Sequence, residues 1–493
     1  MKKEFRDLLR SKGRSELPAV LLAASECAPL AKTGGLADVI GTLPKGLRAL
    51  GFDVRVIVPY HRCIKEKYAD RVEHLFYFYV QLGWRREYAG IEKLELEGLT
   101  VYLVDNEHYF GDRIYWGGEG EIEQYAFFTR AVLDALPNLD FTPEIVHCND
   151  WHTAMMPMLG RTQYPGGMQE RVRYLLTIQN IAFQGKLSFA LAKDLLGIDE
   201  RYLTGEYMEL NGCANFLKGG CVFADRINTV SPGYAREIMT DYYGEGLEGI
   251  LTARASEVSG ILNGIDREFY DPRRDPALPA HYDRARRRGK AVCKAALQER
   301  MGLRVEPETP IFAMVTRMTE QKGFDLVLCA LDDLMCREDM QFMLVGSGEE
   351  RFENFMRAAE YRYKGRLCSY IGYNEDLSHL VYAGSDFLLM PSRFEPCGLS
   401  QMIAMRYGTI PIVRETGGLR DSVVPYNKFT GEGTGFGFAN FDAWEMRDAI
   451  RAALGCYRNK ETMDRLITNA MSMDFGYERA AEEYARLYLC ILK

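Results

Sequence analysis

The amino-acid sequence predicts an α/β protein of two doubly wound domains, each a mainly parallel sheet with helices between its strands. Three observations lead there. Short apolar runs rich in Val, Ile and Leu alternate with stretches whose apolar residues recur at helical spacing. That alternation comes in two series, over residues 19–262 and 311–413, separated by a connector. A chain of 493 residues, 47% hydrophobic and 26% charged, is long enough for two cores and too apolar for bulk disorder.

In chain order, residues 19–24 are wholly apolar and read as a buried parallel strand. After a loop over 25–35, Leu36, Ile40, Leu43, Leu47 and Leu50 mark one face of a helix, which Gly51 ends. Residues 54–59 form the next strand and complete one βαβ unit. Further strands are expected over 101–104, 145–148, 174–178, 227–230 and 261–262, with helices between most of them. The connector begins at Asn263 and runs to about Pro279, rich in Gly, Asp and Pro. The basic stretch 284–290 reads as a solvated helix face. The second series has strands over 311–315, 342–345, 367–371, 387–390 and 410–413. Its helices are expected over 324–334, 349–361, 376–383 and 399–407.

Composition narrows the function. Acidic residues outnumber basic ones, 69 to 61, for a formal charge of −8, which argues against a general nucleic-acid binder. The 12 cysteines form no CxxC pair and sit mostly in apolar runs, the pattern of buried reduced thiols in a cytoplasmic protein. No apolar run approaches the roughly 20 residues of a membrane span. The first 16 residues are charged and lack the apolar stretch of a signal peptide. A soluble, cytoplasmic protein with no membrane partner is expected. The 7 histidines show neither HExxH nor paired Cys–His spacing, so no metal site is expected. A GxSxG elbow and a GxxxxGKS or GxxxxGKT loop are both missing, against hydrolase and P-loop readings.

In open parallel sheets, ligands bind beyond the carboxyl ends of the strands, so the loops there hold the candidates. Lys32, Gly34 and Gly35 follow the first strand: glycines let backbone N–H groups approach an anion and lysine adds a point charge. A tight strand-to-helix turn with an exposed lysine fits the spacing equally well. Asn149, Asp150 and His152 crowd another strand end, where Asp150 can orient a hydroxyl group or simply cap a turn. Arg317 and Lys322 are two cations on one strand-end loop, suited to a departing diphosphate or to a solvated turn. Gly346 opens a Gly-Ser-Gly loop that lacks the third glycine of a dinucleotide fingerprint, since residue 351 is Arg. Glu395 is placed to bond sugar hydroxyls or to stabilise developing positive charge. Cys397 has no histidine near in sequence, so its loop with Gly398 and Leu399 reads as packing rather than as a thiol nucleophile. Thr416, Gly417 and Gly418 either present N–H donors to an anion or start a helix.

Taken together these stretches resemble the bacterial glycogen synthases and plant starch synthases, retaining glycosyltransferases that use a nucleotide-glucose donor. The matching segments are 32–39 (KTGGLADV), 149–152 (NDWH), 231–235 (SPGYA), 262–266 (LNGID), 317–323, 391–398, 407–409 (YGT) and 414–419 (RETGGL). They occur in family order from about residue 19 to the C-terminus. The resemblance implies a GT-B fold: two Rossmann-like domains facing across a deep cleft, with a C-terminal helix that crosses back to the N-terminal domain. It implies an acceptor-side domain over 1–262, a donor-side domain over 263–470 and the returning helix over 471–493.

Position by position, the resemblance gives Lys32, Gly34 and Gly35 contacts to the donor diphosphate, and Arg317 and Lys322 the grip on it from the second domain. Glu395 and the backbone of Cys397, Gly398 and Leu399 would meet the glucose. Thr416, Gly417 and Gly418 would sit near the phosphates, Tyr373 would stack on the nucleobase, and Asp150 would lie near the transferred glucose or the acceptor hydroxyl. Gln179 stands where the family commonly has histidine; it keeps a donor and an acceptor without the charge. The aromatic segment 109–120, with Phe110, Tyr115 and Trp116, resembles an acceptor-side loop and equally suits the cover of a core edge. The implied substrates are ADP-glucose, or UDP-glucose, and the non-reducing end of glycogen or another α-1,4-glucan. No cofactor or metal is implied. Two rivals are a retaining transferase with a small-sugar acceptor and a glucan-binding protein without catalysis.

Overall fold

The computed structural model describes residues 3–11 and 13–492. The chain divides into two compact units, one formed by residues up to Gly264 together with those from Tyr477 onward, the other by Ile265–Gly476.

The first unit is built on a nine-stranded sheet. Its strands are β1 (Val20–Ala23), β2 (Val54–Pro59), β3 (Val72–Leu82), β4 (Arg85–Leu96), β5 (Leu99–Asp105), β6 (Ile145–Asn149) and β7 (Arg173–Ile178). Three short strands follow, β8 (Lys186–Leu187), β9 (Glu209–Leu210) and β10 (Cys213–Asn215), which form a small sheet of their own. β11 (Arg226–Thr229) and β12 (Val258–Gly260) return to the large sheet, whose order is β12-β11-β7-β6-β1-β2-β5-β4-β3. From β12 to β5 the pairing is parallel. β1 and β6 are buried along their whole length; β1 is wholly apolar, while β6 carries two polar residues, His147 and Asn149, that hydrogen-bond inside the protein.

Two features depart from the expected order. β3 and β4 are long antiparallel strands at one edge, between β2 and β5 in the chain, where no strand was expected. The strand expected over 261–262 lies earlier, at β12. There Gly260 runs against the Ser231 backbone, whose carbonyl carbon would stand 2.6 Å from a β-carbon, so the strand needs glycine where an apolar pair was sought. The helix Tyr477–Ile491 belongs to this unit. It lies on the helix Gly35–Ala49, where a β-carbon on Gly46 would sit 2.6 Å from that of Ala481. Tyr484 accepts a bond from Asn228 (3.0 Å), and the Tyr488 hydroxyl meets His147 Nδ1 (2.8 Å).

The second unit carries a six-stranded, wholly parallel sheet: β13 (Ile311–Val315), β14 (Gln341–Gly346), β15 (Leu367–Ile371), β16 (Phe387–Met390), β17 (Ile410–Arg414) and β18 (Phe436–Phe438). The order is β15-β14-β13-β16-β17-β18. The basic stretch 284–290 is mostly solvated, as expected, but only its end is helix and its last residue is not on the surface. The helix starts at Arg288, and Lys290 is buried, with Nζ donating to Ala383 O (2.9 Å), Ser385 O (2.8 Å) and Thr409 Oγ1 (2.8 Å). The reason is local: the helix Glu375–Gly384 ends there, and its last carbonyls draw donors from outside the helix, Lys290 and Thr409 among them.

Each large sheet has one topological switch point, where consecutive strands are laid down on opposite sides of a starting strand. In the first unit it falls between β1 and β6, and in the second between β13 and β16. The loops leaving these four strands hold most of the candidate residues.

Candidate active site

At the switch point of the first unit, the loop after β1 is anchored by a residue passed over in the sequence. Glu26 is buried, and its Oε2 accepts from Thr33 N (2.5 Å) and Thr33 Oγ1 (2.9 Å). Gly34 is the N-cap of the helix Gly35–Ala49 and, having no side chain, gives no capping bond to its first N–H groups. Lys32 reaches Asp38 Oδ1 at 2.8 Å and stays a quarter exposed. The signal for Glu26 was a lone acid among small residues at a strand end.

From the neighbouring β6, Asn149 turns inward. Its Nδ2 donates to Ala23 O (3.3 Å) and His147 O (3.2 Å), and its Oδ1 accepts from Gln179 Nε2 (3.3 Å). Asn149 therefore holds Gln179. Asp150 follows with φ +64°, buried. Burial pushes its carboxyl up to about 7, the backbone N–H groups of Asn180, Gln179 and Trp151 work against that rise, and the charge of Glu26 adds to it. Asp150 Oδ1 is buried with no hydrogen-bond partner among the described residues. A buried acceptor left open at a switch point is suited to a ligand hydroxyl. Glu26 is likewise raised, chiefly by burial.

His152 packs among aromatic rings, 4.4 Å from Tyr125 and 5.0 Å from Tyr115 between centroids. Its Nε2 lies 3.5 Å from Glu121, and burial lowers its pKa. Tyr115 in turn meets Ser25 Oγ at 2.9 Å. Tyr109 and Phe110 are buried against Phe127, so the first part of the aromatic segment covers a core edge.

In the second unit the loops after β13 and β16 meet in an ion pair. Lys322 Nζ is 2.7 Å from Glu395 Oε2, which also accepts from Ser392 Oγ (3.0 Å). Gly418 N donates to Glu395 O (3.0 Å), and Arg414 donates to the carbonyls of Ser392 and Arg393. Glu395 is thus held by three elements, with Ser392 and Arg414 the supports that motif reading missed. Arg317, exposed at the end of β13, forms no ion pair among the described residues. Gly346 ends β14, and its carbonyl accepts from Gly372 N (3.0 Å). A β-carbon on Gly346 would strike the Thr316 backbone, so glycine lets these two loops lie together.

Cys397 is buried, and Gln401 Nε2 donates to its carbonyl (3.1 Å) and to that of Gly398 (2.8 Å). The loop then enters the helix Ser400–Arg406, with Leu399 at its N-cap. Thr416 is the buried N-cap of the helix Gly417–Ser422. Tyr373, after β15, is 72% exposed, with its hydroxyl 3.3 Å from Glu375. Among the described residues no group of His, Cys, Asp and Glu is arranged to hold a metal ion, and no helix is long and apolar enough to cross a membrane.

Residues 19–253 match the starch synthase catalytic domain family, and residues 298–473 match the group 1 glycosyl transferases. The chain is 48% identical over 475 residues to the glycogen synthase of Geobacillus thermodenitrificans, covering 96% of this chain and 98% of that one. It belongs to the glycogen and starch synthase family. The glycogen synthase of Lachnospira eligens is 45% identical over 473 residues, covering 95% of this chain and 99% of that one. Among solved structures, the catalytic domain of starch synthase IV from Arabidopsis thaliana, bound to ADP and acarbose, superposes with a TM-score of 0.90 at 33% identity. That match covers 97% of this chain and all of the other. Sucrose-phosphate synthase from Thermosynechococcus elongatus shares the fold, with a TM-score of 0.61 at 17% identity over 96% of this chain and 98% of that one. As a member of the family the chain is a glycosyltransferase with the two-domain GT-B fold.

Proposed function

We propose that this glycosyltransferase moves glucose from ADP-glucose to the non-reducing end of an α-1,4-glucan, with retention of configuration and without a metal. The observation that carries the reading is the set of groups at the two switch points: a buried acid, Asp150, in one unit, and in the other the Lys322–Glu395 pair with Arg317 on the same loop as Lys322, an exposed cation that forms no ion pair among the described residues. Its setting is near-full-length similarity to glycogen synthases and to a starch synthase bound to ADP and acarbose.

In this reaction the bond between glucose C1 and the diphosphate oxygen breaks, and the acceptor O4 bonds to C1 on the same face. The acceptor hydroxyl proton passes to the departing diphosphate. Arg317, Lys322 and Lys32 stabilise the charge growing on that group, a role open to fixed cations as well as to a metal. Glu395, steadied by Ser392, accepts from sugar hydroxyls, and Asp150 Oδ1 accepts from the transferred glucose or the acceptor. The backbone from Cys397 to Leu399 and Thr416 to Gly418, with Gly346, borders the sugar and phosphates, and Tyr373 stacks on the base. Neither Glu395 nor Asp150 acts as a nucleophile, in contrast to the paired carboxylates of retaining glycosidases.

The test is incorporation of labelled glucose into glycogen from ADP-glucose and UDP-glucose in parallel, with chelator present, followed by digestion with an α-1,4-specific amylase. Incorporation from ADP-glucose that the amylase releases fully supports the reading. Preference for UDP-glucose overturns the donor, transfer to free hexoses alone overturns the acceptor, and a glucosyl adduct on Glu395 or Asp150 overturns the front-face route.

A further inference from the structure

One cavity of the first unit lies away from that unit's switch point. It measures about 360 Å³, in the size class of small-metabolite pockets. Among the described residues, Arg14, Arg171 and Arg173 line it together with one carboxylate, Glu144. Glu144 immediately precedes β6, Arg171 lies two residues before Arg173, the first residue of β7, and Arg14 comes from the segment after the helix Lys3–Ser11. The cavity therefore sits at the amino ends of β6 and β7, whereas Asp150 and Gln179 follow their carboxyl ends. In a chain with a formal charge of −8, three arginines against one glutamate is a strong local reversal.

The protein's own acids do not use up these cations. Glu144 takes Nη2 of Arg14 at 2.8 and 2.7 Å, yet Arg14 Nε is buried without a partner. Arg173 gives Nη1 to Asp225 (3.0 Å), which is shared with Arg161 (2.8 Å). Arg171 gives Nη1 to the Gly166 carbonyl (3.0 Å). Among the described residues, each of the three guanidinium groups keeps donors that no protein acceptor takes.

We propose that this cavity is a second ligand site, one that takes a phosphorylated small molecule such as a sugar phosphate. Guanidinium forks match phosphate oxygens in pairs and bind them more specifically than lysine does. The volume leaves room beside a phosphate for an uncharged body against Met168 and Leu492. Because Arg14, the start of β7 and Leu492 come from distant parts of the chain, a ligand held by all of them binds only the folded protein and raises its melting temperature.

The experiment is calorimetric titration and thermal shift with ribose 5-phosphate and with inorganic phosphate at constant ionic strength, on full-length protein saturated with ADP so that phosphate sites of the catalytic centre are filled. Ribose 5-phosphate should bind saturably and at least tenfold more tightly than inorganic phosphate. Binding should weaken at least tenfold in Arg171→Gln, whose exposed side chain makes one backbone bond and whose loss leaves the fold intact, and in Arg14→Gln. Equal affinity for the two anions would overturn the assignment to a phosphate ester. No binding of either, or undiminished binding in both variants, would overturn the site.

Discussion

A methyl group at position 418 would lie 2.6 Å from the carbonyl carbon of Cys397, where two carbons in ordinary contact keep about 3.5 Å. Gly418→Ala therefore forces the 391–398 loop and the helix Gly417–Ser422 apart by about 1 Å, and the atoms in the way are backbone, which cannot swing aside. The same contact carries the bond from Gly418 N to Glu395 O (3.0 Å), so the strain falls on the residue paired with Lys322. Overpacking of this kind costs about 1–3 kcal/mol of stability, which a domain of this size survives. A reacting group displaced by about 1 Å loses on the order of a hundredfold in rate, or about 2.7 kcal/mol. The expected result is a kcat/KM for glucose incorporation down about a hundredfold, with a cooperative melt that moves by only a few degrees. Activity within threefold of the parent, at unchanged melting temperature, would refute the idea that this contact positions Glu395.

Three further substitutions probe other parts of the molecule. Gln179→His should change kcat by less than tenfold, because the parent side chain works through hydrogen bonds such as that to Asn149 (3.3 Å); an inactive parent rescued by histidine would show that the charge is essential. Asp150 titrates near 7 folded against an ordinary 3.8, so the folded protein holds the extra proton between those values and stability falls as pH rises through that window, by roughly 4 kcal/mol. Asp150→Asn should remove that part of the slope, measured as a smaller drop in unfolding free energy from pH 5 to 7.5 than in the parent; an identical slope would sink the assignment. Lys290→Met leaves the carbonyls of Ala383 and Ser385 and the Thr409 hydroxyl without their shared donor and should cost about 3 kcal/mol or more in urea unfolding. A loss below 1 kcal/mol would mean that water replaces the ammonium.

The parallel strands were legible in the sequence because a strand covered on both faces must be apolar throughout, and runs such as those at β1, β13 and β16 have no other use in a chain of this kind. The site loops were legible for a related reason: glycines and charges directly after such runs mark strand ends, where ligands bind. The β3–β4 hairpin escaped because its exposed face mixes aromatic and charged residues, with Tyr77 and Tyr79 open to solvent, and carries no core signal.

What the sequence by itself determined is which residue types stand at which strand ends, and with them the fold class and the family. Tertiary structure alone decided who meets whom. Lys322 and Glu395 are 73 residues apart and pair only because β13 and β16 are neighbours at the switch point. Glu26 became the anchor of the Thr33 turn, and Lys290 went from a presumed surface charge to a buried donor for the carbonyls around Ala383 and Ser385. The physical reason is common to all three: a backbone group or charge left open by one element must be satisfied by whichever side chain the packing brings within about 3 Å, and that partner is chosen by topology, which local sequence does not encode.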